Sequence, residues 1–265
     1  MSMTTVSQPP EHVLAAFSAP STGHSSPEKL GSPWDFGWKI GDTVFVRSTD
    51  LASWSAKARE KLSVTGARIV RPVRATDGRF SVAGWKANQF APGNLARRID
   101  ETAALGLRWD EAATHAGEGE GALPKLPERT DVFARAEALA WQETGEGYRE
   151  LTGGGNRVVG HADLLATTIY AGNNPPCIVD VFPTSVPRPI GYTTALAITD
   201  GLIAGAVDDG ICDRFAHVPD IDQLLLRAIA YRRHVNNLHP QSQSFTRSNI
   251  ERVETLLVSR ARATM

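Results

Sequence analysis

Three residues in the stretch VVGHADLLATTIYAGNNPPCIVDVFP, residues 158–183, could do chemistry: His161, Asp163 and Asp180. The stretch reads as a strand, a polar turn carrying His161 and Asp163, a second strand, a turn, and a third strand ending on Asp180. A charged group beside a buried strand costs free energy unless it is paired, hydrogen-bonded or bound to metal. The arrangement therefore asks for a site or for a structural partner. A histidine with two carboxylates is a partial donor set for a metal-dependent hydrolase, but no further ligand stands at suitable spacing. The plainer reading makes Asp163 a turn cap, His161 a hydrogen-bonded buried group and Asp180 a strand end.

The surrounding elements follow from periodicity and turn chemistry. Residues 1–30 are rich in Ser, Pro and Thr and read as a loose leader, with one short helix in PPEHVLAAF (9–17) entered through Pro10. WDFGWKIGDTVFVRS gives two strands around Gly41-Asp42. TDLASWSAKAREKL places Leu51, Trp54, Ala58 and Leu62 at helical spacing behind a Thr49/Asp50 cap. ARIVRPVRATDGRFSVAGWKANQF gives two more strands joined at Asp77-Gly78. APGN at 91–94 is a hinge, and helical patterns dominate beyond it. One runs through LARRIDETAALGL. Another, TDVFARAEALAWQET, sets Val132, Phe133, Ala136 and Ala140 on one face. GYTTALAITDGLIAGA and DIDQLLLRAIAYRRHVNNL follow, the latter burying Leu224, Leu225, Ala228 and Ile229, and a last helix opens on the capping box SNIE at 248–251. GEGEGALPKLPE and LTGGGNR read as loops. The predicted architecture is α+β: a small antiparallel sheet lobe over 31–92 and a larger helical lobe over 93–265, with a hairpin embedded in it.

Composition narrows the class. Apolar residues make up 42% and charged residues 22% of the 265-residue chain, ordinary values for a globular protein. A formal net charge of −1 argues against a dedicated nucleic-acid binder. Cys177 and Cys212 follow no metal-like spacing and are too few for a disulfide framework. No apolar run suits a bilayer span and no basic start precedes an apolar stretch, so a cytoplasmic protein is expected.

The form H-x-D-x-x-x-x-T at 161–168, followed by Asp180 at the end of an apolar strand and preceded by a strand-rich lobe and a hinge, resembles the catalytic segment of aminoglycoside phosphotransferases and related small-molecule kinases. GWKIGD, ATDGRFSVAGW and DQLLLRAIAYRRHVNNLHP are also similar to a kinase-like family of actinobacteria. The likeness is best over roughly 155–240 and extends over 31–95. It implies a protein-kinase-like two-lobe fold, ATP and Mg²⁺ as cofactors, and a small-molecule acceptor. Asp163 would accept or orient the proton of a substrate hydroxyl. His161 would brace the catalytic loop, Asp180 would hold Mg²⁺ against nucleotide phosphates, and Asp200 would brace the loop from a later helix.

The chain departs from that pattern at several positions. Thr168 stands where the family has a metal-binding asparagine. The phosphate-binding lysine expected on the third strand is replaced by Arg47, with Lys39 on the preceding strand. Glu60, the natural acidic partner, points away from the Leu51/Trp54/Leu62 face. The phosphate-covering loop LGSPWDFG carries Gly31 and Gly37 around Pro33 and Trp34, and its DFG at 35–37 lies upstream of HxD, so Asp35 reads as a turn residue. YRRHVNNLH at 231–239 reads as a solvated face. Two functions follow from the resemblance: a phosphotransferase with a degenerate nucleotide site, or a pseudokinase serving as a binding or regulatory module with a protein partner.

Overall fold

The structure, a computed structural model, describes residues 7–19, 26–116, 122–152, 155–240 and 244–263. Parts of the expected leader and of the GEGEG and GGG loops lie outside these residues. In chain order the elements begin α1 (Glu11–Ala16), β1 (Glu28–Lys29), β2 (Trp38–Ile40), β3 (Thr43–Arg47), α2 (Ala52–Lys61), β4 (Arg68–Ile69), β5 (Pro72–Val73), β6 (Ser81–Val82) and β7 (Trp85–Gln89). They continue with α3 (Ile99–His115), α4 (Val132–Gln142), β8 (Arg157–Val158), α5 (Leu164–Thr167), β9 (Thr168–Ile169), β10 (Cys177–Ile178), β11 (Arg188–Pro189), α6 (Tyr192–Ile203), α7 (Ile211–Arg214), α8 (Ile221–Leu238) and α9 (Ser244–Ala263). They group into two compact units, one of Met1–Ala96, Glu118–Lys125 and Ala166–Val181, the other of Arg97–Gly117, Leu126–Leu165 and Phe182–Met265.

The first unit is built on an antiparallel sheet ordered β1-β2-β3-β7-β5, with β6 also on β7. Gly41, at φ 58°, turns β2 into β3. Asp77-Gly78 does form a turn, but β6 folds back onto β7 through Ala83-Gly84, so the tight hairpin lies further along the chain than the sequence suggests. Alternation along β3 and β7 sorts side chains onto two faces. Phe45, Trp85 and Ala87 face one way and are covered by Val13, Leu14 and Phe17 of the leader helix region. Val44, Val46, Lys86 and Asn88 occupy the other face, since Val46 pairs with Lys86 and Val44 with Asn88. A second small sheet, β4-β10-β9, sets β10 parallel to β4 and brings the strand leading to Asp180 into this unit.

The second unit is helical. Leu224, Leu225, Ala228 and Ile229 of α8 are buried among Leu196 and Ile198 of α6, Ala136 and Ala140 of α4, and Val253 and Leu257 of α9. In α4 the buried face runs through Ala134, Ala136, Glu137 and Ala140, and Phe133 is left exposed. The sequence pattern put Phe133 inside; the buried Glu137–Arg188 pair takes that side instead. α3 and α6 pack closely because Gly106 leaves room for Thr194, whose backbone a Cβ there would meet. Helix α9 opens at Ser244, so SNIE lies within it and does not cap it.

Candidate functional site

In the first unit, the chemistry gathers around Asp180. Its Oδ1 accepts from Ser55 Oγ at 2.6 Å and from the Val181 N–H at 2.9 Å, and its Oδ2 accepts from Lys86 Nζ. Arg59 Nε lies 3.6 Å from Oδ1. Ser55 and Arg59 sit one turn apart on α2, which aims both at one point. Arg59 is fully buried and anchored by donating to the Val70 and Val179 carbonyls at 3.0 and 3.3 Å. Burial alone would raise the Asp180 carboxyl, but Lys86 and Arg59 outweigh it and hold it well below the usual carboxylate range. Burial also lowers the Arg59 guanidinium, with Asp180 opposing. The result is a sunken ionic centre with two cations against one carboxylate.

Such a centre suits a phosphoanion more readily than a divalent cation. A carboxylate offers about four lone-pair positions, and here two hydrogen bonds and two cations already address them. Among the described residues no group of three or more His, Cys, Asp or Glu side chains could hold a metal ion. As packed, the donor set does not fit Mg²⁺, which takes one or two carboxylates free to ligate. Among the described residues the metal-hydrolase reading likewise finds no ligand set. Phosphate oxygens, by contrast, pair with Lys and Arg.

The sequence-derived candidates in this unit fall as follows. Thr168 is buried in β9 and pairs with Ile178 of β10, two residues before Asp180. Lys39 pairs in register with Val44, so it shares the face of Lys86; its ammonium lies 3.4 Å from Glu28 and 4.4 Å from the Phe90 ring. Arg47 is on the opposite face, stacked over Trp85 at 4.2 Å. Gly31 caps a one-turn 3₁₀ segment, Ser32–Trp34, and its carbonyl accepts from Trp34 and Phe36. Glu60 is spent on Arg74. Lys86, Arg59 and Ser55 were missed by the sequence reading. A lysine mid-strand in GWKANQF, where lysine is seldom buried unpaired, was the available signal.

In the second unit, His161 is fully buried, edge-on to Trp109 at 5.1 Å. Its backbone N–H donates to Thr193 Oγ1 at 3.1 Å, and that hydroxyl donates to Asp110 Oδ1 at 2.7 Å. Its Nδ1 accepts from the Asp163 N–H at 3.1 Å, which closes the turn. Ala162 N–H donates to the Phe182 carbonyl at 2.7 Å. The HAD turn is thus held from α3 and α6 by the Asp110–Thr193 relay. Asp200, the expected brace, instead pairs with Arg232 of α8 at 2.5 and 2.6 Å. Arg232 in turn donates to the Ala162 carbonyl at 2.8 Å and lies 3.8 Å from Asp163. Burial pushes the Asp163 carboxyl up to about 6, with Arg232 opposing and Asp200 adding to the rise. Asp163 nonetheless keeps 43% of its side chain exposed, so it stays reachable. The expected solvated face of α8 is half-buried and bonded: Arg233 and His234 both meet Glu143 at 2.5 Å.

No family model matches the chain, and no curated protein matches it. Among solved structures the chain is similar to a choline/ethanolamine kinase family protein from Mesorhizobium loti, with 13% identity, a TM-score of 0.51, and coverage of 96% of this chain and 98% of that one. With its antiparallel sheet, its helical second unit and this end-to-end likeness, the chain has a kinase-like α+β fold.

Proposed function

We propose that this protein is a kinase-like nucleotide-binding protein whose phosphate site is the Lys86–Arg59–Asp180 centre. The observation that carries the reading is the pairing of two buried cations with one carboxylate on the inner face of the sheet. The finer reading is ATP-dependent phosphate transfer to a small-molecule hydroxyl, in the manner of the aminoglycoside-phosphotransferase-like enzymes that the HxD segment resembles. In it Asp163 orients the acceptor hydroxyl and His161 holds the turn. Lys86 takes the place that the sequence offered to Arg47 or Lys39. A second reading, a binding module without turnover, is favoured by the occupied oxygens of Asp180, which leave Mg²⁺ no open ligand unless Lys86 yields.

The test is a thermal-shift titration with ATP, with and without Mg²⁺, on the native protein, Lys86→Ala and Asp180→Asn. Stabilisation by ATP that Lys86→Ala abolishes supports the phosphate site. An equal shift in Lys86→Ala would sink it. Phosphate transfer that needs Mg²⁺ and is lost in Asp163→Asn selects the enzyme; nucleotide binding without transfer selects the binding module.

A further inference from the structure

The inner face of the sheet carries more than the ionic centre. Trp34, 6% exposed, packs among Val44, Val46, Val70, Ile169 and Val179, and its ring stacks on Phe90 with centroids 5.9 Å apart and planes at 30°. The walls of this slot are neighbours of the charges: Val46 pairs with Lys86, and Val179 precedes Asp180. Asn88 shares that face, is 3% exposed, and its Oδ1 is buried with no hydrogen-bond donor. An orphaned buried acceptor is unusual and asks for a ligand that can donate to it.

The segment that delivers Trp34 is shaped to keep it there. Trp34, Asp35 and Gly37 N–H groups close short turns onto Gly31, Ser32 and Trp34 carbonyls at 3.1, 2.9 and 2.9 Å. Asp35 and Phe36 follow with φ of 49° and 50°, two consecutive non-glycine residues in the left-handed region. Gly37 then passes so close to β3 that a Cβ would meet Val46 Cγ1 and the Phe45 carbonyl. Asp35 comes within electrostatic reach of Lys86 and Asp180; burial raises its carboxyl, Lys86 opposing.

We infer that residues 31–37 occupy the protein's own nucleotide site, with Trp34 in the place of a stacked base and Asp35, next along the chain, in the place of a phosphate. This rests on the nucleotide reading above and adds its regulation. An apolar slot walled by valines and by the Phe90 ring, beside paired cations, is complementary to a base joined to a phosphate chain. A base entering it displaces Trp34 and gives Asn88 Oδ1 the N–H donor it lacks. The native chain is therefore a self-closed form, and nucleotide binds only as the segment swings out.

The experiment compares ATP with tripolyphosphate, which has the charge and no base, by calorimetric titration of the full chain. Trp34→Ala is expected to tighten ATP at least tenfold with little change for tripolyphosphate. Asp35→Asn is expected to tighten both. Adding Asn88→Leu to Trp34→Ala should remove the gain for ATP alone. Native protein that binds ATP as tightly as both variants overturns the inference. If tripolyphosphate binds in a Lys86-dependent way and Trp34→Ala gains nothing for ATP, the base slot is wrong and the phosphate site stands. If neither probe binds any folded variant, the nucleotide reading itself fails. Should Trp34→Ala not fold, amide hydrogen exchange of the native protein decides. Saturating ATP should speed exchange at 34–37 if the segment is released, and added protection there overturns the inference.

Discussion

At the scale of single residues, the site is set by which charges are allowed to face one another. Asp163 is the exposed member of a carboxylate pair sharing Arg232, and its carboxyl sits at about 6 through burial, with Arg232 holding it down. Carboxyl-detected NMR titration should find its midpoint near that value, and Arg232→Gln should move it upward. A midpoint unchanged in the variant would remove Arg232 from the account. If the protein turns over, the rate should fall below about pH 6, because the base form is lost there. Asp110 behaves differently. Burial pushes it up to about 7, against the hydrogen bonds from Thr193 and Gly191. An unfolded aspartate titrates near about 4, so between about pH 4 and about 7 the folded protein keeps a proton that the unfolded chain has released. Stability should therefore fall as pH rises through that window and level off above it. In thermal melts Asp110→Asn should reduce the slope, leaving contributions of the same sign from Asp163, Asp200, Asp35 and Glu254, whose carboxyls burial also raises. A slope retained in full would show that Asp110 is not its source.

At the scale of elements, what was legible was local. Gly41-Asp42, the leader helix behind Pro10, and the apolar stripe of α8 depend on neighbours a few residues apart, and each formed where its pattern lay. What stayed hidden was long-range. Lys86 looks like an ordinary strand residue until Asp180, 94 positions later, arrives beside it. Ser55 and Arg59 look like the polar side of an amphipathic helix, whereas both are buried. Thr193 carries no motif, and only the packing of α6 on α3 makes it the link between Asp110 and His161. The turn into α6 is the tightest point of that relay. Gly191 has φ 94° and a Cβ there would meet Val218 and Leu224, while its N–H donates to Asp110 at 2.7 Å. Left-handed backbone costs a residue other than glycine about 1–3 kcal/mol. Gly191→Ala should destabilise by at least about that much in urea titration and broaden the amide resonances of 160–163. A fully stable variant would show that the turn relaxes freely.

At the scale of the whole molecule, the first unit is assembled from separated pieces of chain. Residues Ala166–Val181 supply β9, β10 and Asp180 to the unit made mainly by the first 96 residues, where β10 pairs with β4. Leaving a buried cation without its partner is strongly destabilising, about 3–5 kcal/mol for a broken buried pair. A fragment of residues 1–96 would keep Arg59 and Lys86 and lose their carboxylate. It is expected to show no cooperative thermal transition and a collapsed amide spectrum. A sigmoidal melt with dispersed resonances would make 166–181 dispensable. The leader helix has a consequence of a different kind. Val13, Leu14 and Phe17 are what separates Phe45, Trp85 and Ala87 from water. The leader helix region, which looks expendable by composition, is therefore a cover over an oily sheet face. Deleting that helix to improve crystals or expression would turn the protein sticky, with dye-binding surface and self-association as the first signs.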